Sequence, residues 1–201
     1  MRPCDAGTEA RVLARHGLGK EVLPLTAIFA LCAILGIGRS IGGQGSPNVP
    51  VPVRSALDRM HPGWRVGAVG DDVRAAMAAL LGPTPNVVVG DFDGNGRVDV
   101  AVLIEYQSVD ALQKVFTDYT EVIAFLDTAR GYKPIRLEDP MPGPNPDRYL
   151  FLQKRGTEGF DSEANKKFNY PHDSIGFGFF EKAGGSYIYE QGKFRYVVES
   201  D

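Results

Sequence analysis

The chain has 201 residues, with 22 lysines and arginines against 25 aspartates and glutamates, which gives a net charge of −3 at pH 7. This acidic balance argues against nucleic acid binding, because contact with phosphates requires a basic surface. The two cysteines, Cys4 and Cys32, both lie before residue 40, so the rest of the chain has to fold without disulfides, and its length is sufficient for one apolar core.

The first 39 residues have the order of a secretory signal. Basic residues within the first twenty positions are followed by 17 uncharged residues, 22–38, and then by a small, polar stretch. This order predicts a cleaved signal peptide in residues 1–39 and a secreted or periplasmic protein. The alternative is an uncleaved membrane anchor, since the apolar run is near the lower limit for a membrane span. Contact with a membrane is expected only in that second case.

Cleavage would make the remaining chain more acidic. Residues 1–39 contain five basic and three acidic residues, so the remainder has 17 basic and 22 acidic residues and a net charge of −5. Proline and glycine make residues 40–52 a predicted linker, which leaves residues 53–201 as a predicted single globular domain.

Two helices are predicted at the start of this domain. Apolar residues recur at helical spacing over residues 53–60, and His61 precedes a proline that disfavours further helix. A second helix is predicted from Asp71 or Asp72 to Leu81, where Gly82 and a proline follow.

The most informative motif is the nine-residue stretch 91–99. Side chains with oxygen atoms occupy its positions one, three, five and nine, which are Asp91, Asp93, Asn95 and Asp99. Gly94 and Gly96 permit a sharp turn, because glycine adopts positive φ at little cost. Ca²⁺ takes six to eight oxygen ligands, and a loop with this spacing can surround it. The main-chain carbonyl of Arg97, at position seven, is a further predicted ligand, as in EF-hand loops.

This stretch departs from an EF-hand at both of its ends. Position twelve is Val102 instead of glutamate, so Asp99 would have to close the site. Runs of β-branched residues on either side predict strands instead of helices. The sequence also fits two alternatives to a calcium site. One is a tight Asn-Gly hairpin turn without a metal, and the other is a site for Mg²⁺, which prefers a smaller octahedral site.

Residues 90–103, Gly-Asp-Phe-Asp-Gly-Asn-Gly-Arg-Val-Asp-Val-Ala-Val-Leu, resemble the calcium-binding loop of FG-GAP and VCBS-type repeats. Those repeats occur in the propellers of integrin α-subunits and in many secreted bacterial proteins. The resemblance implies a calcium site whose ligands are Asp91, Asp93, Asn95, Arg97 through its carbonyl, and Asp99. One copy of the motif is found, so the resemblance concerns the loop and does not extend to a propeller.

Most of the chain after residue 86 is predicted to be strand. The predicted strands are 87–89, 98–104, 121–127, 132–138 and 149–154, followed by a three-stranded meander over 175–199. Residues 108–116 are predicted as a short helix or a hairpin crossing, 139–148 as a proline-rich loop, and 156–173 as irregular. The predicted fold class is α+β, with two N-terminal helices packed on one face of a largely antiparallel β-sheet that ends in the meander.

No nucleophile or zinc signature occurs in the sequence, and His61 and His172 are the histidines outside the leader. The favoured function is an exported, non-catalytic calcium-binding domain with a structural or recognition role, and its partner would be a protein or glycan of the cell envelope. One alternative is an extracytoplasmic hydrolase with a structural calcium that uses His172 or paired acids. Another is an envelope inhibitor or adaptor that presents loop 139–148. The acids considered are Glu105, Glu121, Glu138, Glu181 and Glu199.

Aromatic residues alternate along the C-terminal meander. They are Tyr187, Tyr189, Phe194 and Tyr196. Their spacing is expected either for a binding face or for a face turned toward the core.

Overall fold

The structure is a computed structural model that describes residues 49–109 and 115–200. Half of these described residues are strand and 11% are helix. The helices are α1, Val51–Met60, and α2, Asp71–Ala76. The strands are β1 Arg65–Val66, β2 Val87–Gly90, β3 Asp99–Val109, β4 Phe116–Thr128, β5 Gly131–Arg136, β6 Met141–Pro142, β7 Arg148–Gln153, β8 Glu158–Asp161, β9 Lys166–Asn169, β10 Ser174–Phe179, β11 Ala183–Glu190 and β12 Lys193–Ser200.

A six-stranded antiparallel sheet is built around the long strands β3 and β4. These strands pair from Val100 opposite Phe125 to Val109 opposite Phe116. The short strands β1 and β2 pair with β3, while β5 and β6 pair with β4. The chain reverses between β2 and β3 through residues 91–98, so the predicted acidic loop is a hairpin connection at one end of this sheet.

Both faces of the central part of this sheet are buried, which explains why β3 and β4 contain almost continuous apolar runs. Alternate residues point to opposite faces of a strand. One set, which includes Val100 and Val102, packs with Val53 and Leu57 of α1 and with Trp64. The other set packs against a second sheet and consists of Val88, Ala101, Leu103, Val122, Ala124 and Leu126.

The second sheet has four antiparallel strands in the order β12-β11-β10-β7. Leu150, Ile175, Phe177 and Tyr187 contribute its side of the shared core. On its other face, Tyr170 packs with Ile188 and Val197, beside Phe168 of β9. The hairpin β8–β9 therefore lies over this second sheet.

The predicted α+β class is wrong, because the fold is mostly β and has several antiparallel sheets. Of the two described helices, only α1 packs on the six-stranded sheet. Val73 of α2 instead contacts Val69 and Tyr149, beside the second sheet. The prediction treated all strands as one sheet with one covered face. The apolar runs of β3 and β4 require cover on two faces, and the second sheet supplies what the second helix was expected to supply.

Several local predictions also differ from the structure. Helix α2 ends at Ala76, and the amides of Leu80 and Leu81 bond back to the Met77 carbonyl as turns. Residues 156–173, predicted as irregular, contain the hairpin β8–β9, and the proline-rich loop contains β6. Residues 108–109 and 115–116 belong to strand ends or a bend, which excludes a helix there, and 110–114 lie outside the described residues.

The predicted signal peptide or anchor and most of the linker lie outside the described residues as well. Helix α1 begins at Val51, within the range predicted as linker, with Pro50 at its N-cap. Within residues 49–109 and 115–200, no helix has the length and apolarity needed to cross a membrane.

Candidate metal centre

The acidic loop is anchored to the core by a single aromatic residue. Phe92 is fully buried in the core between the sheets, whereas its neighbours Asp91 and Asp93 are partly exposed. Gly90 pairs with Asp99 where the hairpin begins. Between them, Gly94 and Gly96 adopt φ of +74° and +80°, conformations that L-residues with side chains rarely adopt. The backbone therefore turns where the sequence predicted.

Three carboxylates come together in this loop. One oxygen each of Asp91, Asp93 and Asp99 lies within 4.8 Å of the other two. Two oxygens that bind the same calcium ion at about 2.3–2.6 Å can be at most about 5 Å apart. The three acids therefore satisfy the distance requirement for one shared ion.

Asp99 is fully buried at the start of β3. Its Oδ2 accepts the N–H of Phe92 at 2.8 Å, and its Oδ1 accepts the N–H of Asp127 at 2.7 Å. Burial raises the pKa of Asp99 to about 6, with a smaller contribution from the charge of Asp93, although the backbone N–H donors oppose the shift. A cation beside this carboxylate would favour its charged form.

Asp91 presents one satisfied and one unsatisfied oxygen. Its Oδ2 accepts the N–H of Gly96 at 3.0 Å. Its Oδ1 is buried and accepts no hydrogen bond from any of the described residues. A buried carboxylate oxygen without a partner is costly, because its hydration has been lost without replacement. A turn without metal does not explain this oxygen, whereas a metal ligand at this position does.

The remaining predicted ligands interact within the loop. The carboxylate of Asp93 accepts the Asn95 N–H at 3.1 Å and the Asn95 side-chain amide at 2.9 Å. The Asn95 amide also donates to the Asp127 carbonyl at 2.9 Å, and its Oδ1 accepts the Arg97 N–H at 2.7 Å. The Arg97 guanidinium lies 3.9 Å from an Asp127 carboxylate oxygen. The structure thus brings the three predicted carboxylate ligands together, while the side-chain oxygen of Asn95 accepts the Arg97 N–H.

Sequence reasoning missed a second segment that touches the loop. A Cβ on Gly94 would lie 2.3 Å from Nδ1 of His172, so the imidazole ring lies directly against this glycine. The Asp91 N–H donates to Oδ2 of Asp173 at 3.4 Å, across 82 positions of sequence. Burial acts to raise the pKa of Asp173, but bonds from the Arg155 N–H and Lys154 outweigh it and hold that pKa below its usual value. No local pattern marks such a long-range contact.

Three of the five glutamates considered for catalysis pair with arginines. Glu105 accepts the side chain of Arg65 at 2.7 Å and the N–H of Ala68 at 2.9 Å. Two further arginine–glutamate pairs are Arg136 with Glu121 and Arg148 with Glu138. These contacts give each of the three glutamates a role in the fold.

His61 and the alternating aromatic residues also contact the fold. His61 lies 3.3 Å from the buried Glu121, and burial lowers the pKa of His61 despite the opposing charge of that glutamate. Tyr187, Tyr189 and Phe194 pack on the core between the sheets. Tyr196 is 40% exposed. The aromatic alternation therefore mainly marks a core face.

Comparison with known proteins finds no matching family model, no matching curated protein and no matching solved structure. The resemblance to FG-GAP and VCBS-type loops therefore stays a prediction based on residues 90–103.

Proposed function

We propose that the loop formed by residues 91–99 binds one calcium ion, and that the chain is an exported, non-catalytic domain stabilised by that ion. The main support for the proposal is the buried Oδ1 of Asp91, which has no hydrogen-bond partner among the described residues. Asp91 belongs to a cluster of three carboxylates. The role of such a domain would be structural or one of recognition, with a protein or glycan of the cell envelope as its partner.

The donor set suits calcium better than a transition metal. Carboxylate oxygens of Asp91, Asp93 and Asp99 are hard ligands, and the cluster contains neither cysteine nor histidine as a donor. The spacing of the loop implies the Asn95 side chain and the Arg97 carbonyl as further ligands. Calcium accepts six to eight oxygens in flexible geometry, whereas Mg²⁺ prefers strict octahedral sites with retained water.

Bound calcium would connect three strands. The loop joins β2 to β3, and both Asp99 and Asn95 bond to the backbone of Asp127 in β4. An ion that binds only the folded protein stabilises it by mass action, by about 2.7 kcal/mol at one hundred times the dissociation constant. Extracellular calcium modules with dissociation constants of about 10⁻⁴–10⁻³ M are known, so a weak site outside the cell would still be useful.

Thermal unfolding tests this proposal. Removal of calcium with EDTA should lower the melting temperature by about 5–10 °C, because about 2.7 kcal/mol corresponds to such a shift in a domain of this size. Excess Ca²⁺ should restore the melting temperature, and the same concentration of Mg²⁺ should restore less. An Asp93→Ala variant is the matched control, and its melting temperature should be the same in EDTA and in calcium. A wild-type melting temperature that is the same in both conditions would refute the metal site.

The contacts of three of the five candidate glutamates support a structural role over hydrolysis. Glu105, Glu121 and Glu138 are each engaged by an arginine. The adaptor alternative receives little support from loop 139–148, because its residues Met141 and Pro142 pair with β4.

A further inference from the structure

The second sheet reaches the acidic loop through two neighbouring residues just before β10. His172 lies against Gly94 at the middle of the loop, and Asp173 accepts the N–H of Asp91 at its start. A Cβ on Gly90 would lie 3.0 Å from both Cβ and Oδ2 of Asp173, so backbone and side chain are closely packed at this point. These two contacts hold the loop at the residue with the unsatisfied oxygen and at the turn that follows.

Asp173 is itself fixed by the turn after β7. Its Oδ1 accepts the Arg155 N–H at 3.1 Å, and its Oδ2 lies 3.2 Å from the Lys154 ammonium. The Asp173 side chain is only 16% exposed. The Lys154 ammonium balances the negative charge that Asp173 places beside the acidic loop. Asp173 therefore connects the loop to the turn that follows β7, and its negative charge is paired with the positive charge of Lys154.

We infer that His172 and Asp173 are positioning residues for the calcium loop, so that the affinity of the site depends on contact between the two sheets. This inference rests on the proposed calcium site. Residues that orient metal ligands from outside the coordination sphere commonly change metal affinity by about 10–100-fold when they are replaced. Linkage then requires the reciprocal effect, in which calcium strengthens the contact of residues 172–173 with the loop.

Calorimetric titration of the full chain with CaCl₂ tests the role of Asp173. We expect Asp173→Asn to weaken calcium binding by about tenfold. Asparagine lacks the negative charge that interacts with Lys154 and with the Asp91 N–H. Glu158→Gln is the matched control, since it also removes one carboxylate, from an exposed pair with Lys167. This control should bind calcium like the wild type. Equal affinity of Asp173→Asn and the wild type would overturn the inference.

Substitutions that remove or keep a flat ring test the role of His172. His172→Ala removes the ring that lies against Gly94 and should also weaken calcium binding by about tenfold. His172→Phe keeps a flat ring and should retain most of the affinity. If the phenylalanine variant binds as weakly as the alanine variant, packing against Gly94 is not the cause and the positioning role is wrong.

Two further measurements distinguish a positioning role from a general effect on protein stability. They also distinguish it from the case in which the chain does not bind calcium at all. A merely structural role would lower the melting temperature in EDTA, whereas positioning should reduce the calcium-induced rise in melting temperature. Hydrogen exchange of the amides at 172–174 should slow on calcium addition in the wild type and stay unchanged in Asp93→Ala. A wild type that binds no calcium would refute the proposed function. A wild type that binds calcium without slower exchange at 172–174 would overturn this inference alone.

Discussion

Replacement of Asp99 by alanine should lower the free energy of unfolding by about 2–6 kcal/mol even in EDTA. Asp99 is fully buried, and its two oxygens accept the amides of Phe92 and Asp127. The substitution leaves two N–H groups without acceptors, at a cost of about 1–3 kcal/mol each. Urea denaturation with excess EDTA measures this effect separately from any metal. The calcium response should also disappear, because one of the proposed ligands is lost.

Asp93→Ala is the control that separates the structural role of the loop from its proposed role in calcium binding. Asp93 is partly exposed, and its carboxylate bonds only within the loop, to the backbone and side chain of Asn95. Its loss in EDTA should cost about 0.5 kcal/mol, which is typical of surface positions, while the calcium response is abolished. Equal destabilisation of the two variants in EDTA would show that Asp99 has no structural role of its own.

Arg148→Met should lower the free energy of unfolding by about 3–5 kcal/mol. Arg148 is fully buried between the two sheets, where it pairs with Glu138 and donates to Thr120 at 2.7 Å. Its guanidinium also lies 4.9 Å from the ring centre of Phe177. Burial lowers the pKa of Arg148 to about 10, which still leaves it charged at neutral pH. Removal of one partner from a buried ion pair leaves the other charge poorly compensated.

A double-mutant cycle isolates the pair. Glu138→Gln in the Arg148→Met background removes the uncompensated charge and should recover part of the lost stability. The coupling free energy is obtained from urea denaturation of the wild type, the two single variants and the double variant. A double variant that is destabilised by the full sum of the single effects would show that the two side chains do not interact.

The acidic loop was the part of the fold most accessible from sequence. Its alternating oxygens and two glycines make a local pattern, and the structure brings Asp91, Asp93 and Asp99 within reach of one ion. The order of β10, β11 and β12 was equally predictable from local sequence, because short turns join these strands and aromatic or apolar residues alternate along them. The start of the first helix was predicted within two residues, since α1 has helical spacing of apolar residues.

The pairing of strands into two sheets was not accessible in the same way. Alternation shows which residues of a strand share a face, but it does not show which element covers that face. The runs in β3 and β4 could have indicated burial on both faces. The contacts of His172 and Asp173 with the loop, and the burial of Arg148 next to a proline-rich stretch, depend on long-range packing that no local pattern encodes.

Calorimetric titration of the purified full chain with CaCl₂, after dialysis against a chelator, tests the central claim most directly. We expect one site per chain, with a dissociation constant of about 10⁻³ M or tighter, and no binding after joint replacement of Asp91 and Asp93 by alanine. Absence of a binding signal from the folded wild type up to about 10 mM calcium would contradict this claim.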